Sequence, residues 1–196
     1  AWSGDGLDRL GALSSIVANR NLGDGHVAVS DFAMLRQSRW REAIASSFDR
    51  PELRPFLGGI VAITVRYAAR AGAGAGGTNV IKPLYHVAWL ASRLRMTVAE
   101  PLREAHGGPD DATGLGAPLT GVLRASRRRI PVQLVPTESP MPPGTTLAVE
   151  VTGHRRSSTV ELTVTAEAEA VIVRAACGGR AMPARRFMAP RRTEVE

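Results

Sequence analysis

Ile60-Val61-Ala62-Ile63-Thr64-Val65-Arg66-Tyr67 is the stretch on which the fold turns. It is rich in β-branched residues, and a short, nearly continuous apolar run of this kind predicts a strand buried on both faces. Downstream, Ala71-Gly72-Ala73-Gly74-Ala75-Gly76-Gly77 is a low-complexity loop. A helix is expected from Ile81 to Arg95, with Leu84, Val87, Ala88, Ala91 and Leu94 on its core face, and then a strand over Met96–Glu100. Upstream, Pro51 opens a short helix to Leu57 that Gly58-Gly59 ends. Ser30 or Asp31 caps a longer helix reaching about Phe48, with Phe32, Leu35, Trp40, Ile44 and Phe48 as its apolar face. Further back come a short strand, Ser14–Ala18, and a short helix, Asp5–Leu13. Strand, helix, strand, helix, strand is the order of a small parallel α/β layer.

The character changes after the Gly/Pro/Asp loop His106–Pro118. Strands are expected at Leu119–Ser126, Ile130–Val135, Thr145–Thr152, Thr159–Thr165, Val171–Ala176 and Arg185–Met188. Val149 and Val151, and Val160, Leu162 and Val164, alternate with polar residues, as in a sheet with one wet face. His154-Arg155-Arg156-Ser157 marks a hairpin turn, and the last residues, Arg191–Glu196, are expected to fray. The fold class is therefore α/β, a parallel layer followed by an antiparallel β meander. The organisation is an α/β (Rossmann-like) region over 1–105 and an antiparallel region over 119–190, or one continuous domain.

The composition supports a folded core, since 44% of the 196 residues are hydrophobic. No run approaches the roughly 18 to 20 apolar residues of a membrane span, and no signal-peptide core is present. The net charge is +7, but Lys82 is the only lysine among 25 basic residues. Such a skew reflects genome composition as readily as a nucleic-acid surface. Cys177 is the single cysteine, so an intrachain disulfide and a cysteine-based metal site are both excluded. A cytoplasmic setting is the default expectation. His26, His86, His106 and His154 are too scattered for a helix-borne metal site.

No catalytic motif stands out. The serine pairs at 14–15, 46–47 and 157–158 lack a nucleophile elbow, and Cys177 reads as an inert, buried thiol. The glycine run 72–77 lacks the Gly-Lys-Ser/Thr end of a phosphate loop and the spacing of a dinucleotide fingerprint. Neither a cofactor nor a metal is expected. Arg124 with Arg127–Arg129, and later Arg185-Arg186 and Arg191-Arg192, form either a basic surface for phosphates or an acidic partner, or solvated turns. Aromatic residues, at 5%, are too few to interleave with them as on a single-strand nucleic-acid surface. Arg36 and Trp40 stand four apart on the expected helix. Two readings are open: a recognition surface, because Trp and Arg are favoured interface anchors, or a core indole covered by the aliphatic stem of Arg36.

Asp31, Arg36 and Trp40-Arg41-Glu42, then Phe48-Asp49-Arg50-Pro51-Glu52-Leu53-Arg54-Pro55-Phe56-Leu57, resemble the hallmark of OpcA-type glucose-6-phosphate dehydrogenase assembly proteins. Trp89-Leu90-Ala91-Ser92-Arg93-Leu94 is similar to a later helix of that family. Met34, Arg39 and Met96 depart from it, standing where the family has tryptophan, proline and tryptophan. The resemblance implies the C-terminal part of a longer protein. It also implies a non-enzymatic assembly factor or allosteric activator that binds glucose-6-phosphate dehydrogenase and favours its active oligomer. Asp31, Arg36, Trp40, Arg41 and Glu42 are the expected partner-binding residues, with Trp89 in the core. Two other classes stay open on the residues alone: a nucleotide- or sugar-phosphate-binding α/β module, and a basic nucleic-acid-binding protein.

Overall fold

The β-branched run Ile60–Tyr67 lies within β1 (Ile60–Ala69), the hub of a nine-stranded sheet. The computed structural model describes Gly11, Ser15 and residues 37–71, 78–105, 114–167 and 169–188. In chain order these give α1 (Ser38–Ser47), a 3-10 helix (Arg54–Gly59), β1, α2 (Ile81–Arg93), β2 (Thr97–Glu104), β3 (Leu119–Ala125), β4 (Arg128–Glu138), β5 (Thr146–Arg155), β6 (Ser158–Ala166), β7 (Ala170–Cys177), β8 (Arg180–Ala181) and β9 (Arg185–Met188). The sheet order is β2-β3-β4-β1-β5-β6-β7-β8, with β9 also on β7. Among the described helices none is long and apolar enough to cross a membrane.

The class is mixed α/β, and its parallel component is one pair. β1 runs parallel to β4, Ile63 opposite Val132 and Val65 opposite Leu134, and antiparallel to β5. The chain leaves β1 through α2 and enters β2, which runs in the same direction as β1 but at the far edge. β3 and β4, antiparallel to β2 and to one another respectively, fill the two places between. The crossover geometry thus holds while the adjacency does not. β5, β6 and β7 form the expected antiparallel meander, with Val149–Val164 and Val164–Val173 in register.

β1 is not buried on both faces. Ile63, Val65 and Tyr67 are buried, while Ala62, Thr64 and Arg66 on the alternate face are half-buried. The described helices and the 3-10 helix pack against the first face, and the core lies between them, built from Ile44, Leu53, Ile63, Val65, Leu134 and Val151 among others. Arg66 on the other face donates from Nε to the Glu150 carboxylate at 2.7 Å.

Four local expectations shift, the first being the helix expected over Pro51–Leu57, which is a 3-10 helix over Arg54–Gly59 that takes in both glycines. α1 begins at Ser38, after Gln37, rather than at Ser30 or Asp31; residues 31–36 lie outside the described residues. The core face of α2 is Pro83, His86, Val87 and Leu90, about one residue round from the expected stripe, and Ala88 is exposed. At the other end of the chain's first segment, Gly11 and Ser15 are helical, and the Ser15 hydroxyl donates to the Gly11 carbonyl at 3.0 Å. A strand over Ser14–Ala18 is therefore not formed at Ser15; the rest of that stretch, and the glycine run 72–77, lie outside the described residues.

Local chemistry sets the element ends. Asn79 Oδ1 accepts from the Ile81 amide at 3.0 Å and opens α2. Arg95, at φ 52°, turns the chain left-handed, and the Met96 amide closes back on the Ala91 carbonyl at 2.8 Å. Gly144, at φ 79°, lies so close to the Asn79 carbonyl that a side chain there would overlap it. Arg185 reaches from β9 to the Ser46 carbonyl at the C-terminal end of α1 (3.1 Å) and lies over the Phe187 ring, 5.2 Å from its centroid.

Candidate functional site

α1 carries two adjacent stripes. Trp40, Ala43, Ile44 and Ser47 follow an i, i+3, i+4, i+7 spacing and are buried. Ser38, Arg41, Glu42 and Ala45, rotated by roughly 100° per residue from the first stripe, face a groove. The groove has a volume of about 840 Å³. Its second wall is the C-terminal half of α2, with Trp89, Leu90, Arg93 and Leu94, and Arg54 and Leu57 of the 3-10 helix join Phe48 and Asp49 to complete it.

Beneath the groove the two helices are locked together. Gln37 Nε2 donates to the Lys82 carbonyl at 2.9 Å, tying the start of α1 to the first turn of α2. The Trp40 ring packs on His86 with centroids 5.1 Å apart and planes inclined at 53°. His86 is 0% exposed, and neither ring nitrogen has a hydrogen-bond partner among the described residues. Burial, and secondarily the charge of Arg41, push its pKa down to about 3, so the imidazole is neutral at physiological pH.

The expected partner-binding residues divide. Trp40, 9% exposed, is a core side chain. Arg41 is half-buried at the groove, its charge felt by His86. Glu42 is exposed on the groove and accepts from Arg39 Nη1 at 2.7 Å. Asp31 and Arg36 lie outside the described residues, so an Arg36–Trp40 contact is not described. Trp89, expected in the core, is only partly buried and forms part of the groove wall. Arg54, Leu57 and Arg93 also line the groove, and none of them carries a sequence signal of its own. Each lies inside one of the motif runs, and the run as a whole is the signal, since no local pattern separates a groove wall from a solvated surface.

Parts of the basic run after β3 serve the fold. Arg128 donates to the Ile60 carbonyl at 3.1 Å, and Arg129 pairs with Glu100. Cys177 is half-buried at the end of β7 and packs against the core. Among the described residues no three His, Cys, Asp or Glu side chains gather as metal ligands would.

No curated protein matches the chain. A crystal structure of the dehydrogenase MviM from Clostridium difficile is 16% identical over 72% of this chain, with a TM-score of 0.34, a likeness too low to carry an argument. The chain spans 44% of the length of that protein. The family model for the C-terminal domain of the glucose-6-phosphate dehydrogenase subunit, OpcA type, matches residues 27–195, which take in α1, α2, the groove between them and all nine strands. The chain belongs to this family of OpcA-type C-terminal domains.

Proposed function

We propose that this chain is a non-enzymatic subunit that binds glucose-6-phosphate dehydrogenase through the groove between α1 and α2 and favours the enzyme's active oligomer. One observation carries the reading. Two motif runs some thirty residues apart in sequence, one ending at Leu57 and the other beginning at Trp89, supply opposite walls of a single groove. Its walls set a half-buried tryptophan and exposed guanidinium groups, residue types that anchor protein interfaces, beside half-buried leucines.

Activation needs no chemistry on this chain. A binder that prefers one oligomeric state of its partner shifts the population by its differential affinity, and about 1.4 kcal/mol of preference gives a tenfold shift. The setting is that of the enzyme, the cytoplasm. The test is to titrate the purified chain, and the longer protein that contains it, into glucose-6-phosphate dehydrogenase while following activity and sedimentation together. Co-sedimentation with a higher oligomer and a rise in activity is the expected outcome. Absence of co-sedimentation at about ten micromolar of either form defeats the reading.

A further inference from the structure

We propose that the occupant of the groove is an amphipathic helix of the partner, apolar along one stripe and flanked by acidic side chains. The proposal rests on the groove being the docking surface named above, and adds what it recognises. α1 lines the groove from Ser38 to Ala45, a span of about 11 Å at 1.5 Å per residue, and Phe48 and Asp49 continue that wall past the helix end, which matches two to three turns of a helix laid alongside. Ile44, Phe48 and Leu90 form a floor already packed into the core. The apolar surface still open comes from the half-buried Leu57, Trp89 and Leu94. A helix presents side chains at i, i+3, i+4 and i+7 to such a surface.

Charge decides the flanks. Arg54 and Arg93 are exposed on the groove, and their guanidinium groups have no hydrogen bond or ion pair among the described residues. Glu42 is paired with Arg39, and Arg41 is half-buried with its charge felt by His86, which leaves Asp49 as the opposing charge. Two open guanidinium groups beside an indole favour carboxylates, which align approach and fix register. The chain's net charge of +7 disfavours a second copy of itself as the occupant.

The test has two arms. In the first, the full chain and its Arg54→Glu/Arg93→Glu variant are titrated against glucose-6-phosphate dehydrogenase at low and high salt, with Arg180→Glu, exposed on β8, as the control. The double reversal is expected to weaken binding about tenfold or more and to flatten the salt dependence, with the control within about twofold. Wild-type binding that the double reversal leaves unchanged overturns the proposal while sparing the dehydrogenase reading. The second arm does not depend on the enzyme. A three-turn helical peptide with a leucine stripe flanked by glutamates, and its counterpart with lysines, are titrated while the Trp89 indole resonance is followed. The glutamate peptide is expected to shift that resonance, and to lose the effect in the double reversal. Equal shifts from both peptides, or none from either, overturn the proposal even where the enzyme does not bind.

Discussion

Buried His86 should make the stability of this protein fall in acid, and His86→Leu should remove that contribution. The imidazole sits under the groove against Trp40, with both nitrogens unpartnered among the described residues and its pKa lowered to about 3 by burial and by Arg41. In the unfolded chain it titrates near its ordinary value of 6.5. As pH falls the unfolded state therefore binds a proton first, and the stability present above about pH 6.5 is lost until the folded form itself protonates near pH 3. Linkage puts the loss at roughly 1 kcal/mol by about pH 5.5 and roughly 3 kcal/mol by about pH 4.5. Carboxylates titrate over the same range, so the quantity to measure is the difference between wild type and His86→Leu, from urea unfolding at a series of pH values. At neutral pH the variant loses the ring contact with Trp40 and relieves two unsatisfied nitrogens, and these effects largely offset. The difference should then swing in the variant's favour by roughly 3 kcal/mol on going to about pH 4.5. A difference flat across the range refutes the reasoning, and would mean that the imidazole finds a proton acceptor in the folded protein.

The remaining predictions separate packing from recognition. Trp40→Ala should cost about 3 to 5 kcal/mol of stability by opening a cavity against His86, whereas Trp89→Ala should cost less and weaken partner binding more; urea unfolding beside a binding titration distinguishes them. Gly144→Ala should destabilise by about 1 to 3 kcal/mol in thermal unfolding, because its φ of 79° disfavours a side chain and the added methyl meets the Asn79 carbonyl. Glu150→Gln should cost less than about 1 kcal/mol, since its 2.7 Å pair with Arg66 is partly exposed to solvent.

The sheet is legible in the sequence where its signal is local. Val160, Leu162 and Val164 alternate with polar neighbours because one face of β6 meets the core and the other meets water, and that period is written in the sequence. The pairing of β1 with β4 is not legible. It joins residues some seventy positions apart, Ile63 with Val132, and nothing in either segment specifies which strand lies beside it. The face of α2 differs from its expectation for another reason. Leu84, Val87, Ala88, Ala91 and Leu94 satisfy a helical period as well as Pro83, His86, Val87 and Leu90 do, and hydrophobicity favours the first set because it contains no histidine. The second set wins in the structure because Trp40 supplies an aromatic face on which the neutral imidazole can pack.

The same contact explains why the site is only half readable from sequence. Trp40 with Arg41 and Glu42 leaves a recognition surface and a core indole both open in the sequence, and a helix turns each successive residue by about 100°. Once Trp40 points into the core, Arg41 and Glu42 must rotate toward the rim, which is where the groove lies. Trp40 thus bears on the groove without lining it: with Gln37 and His86 it ties α1 to α2, the two helices that line the groove. Trp89 stands on the opposite wall with part of its indole still open. The two tryptophans thus differ in setting, one buried where α1 meets α2 and the other half-open on the groove wall.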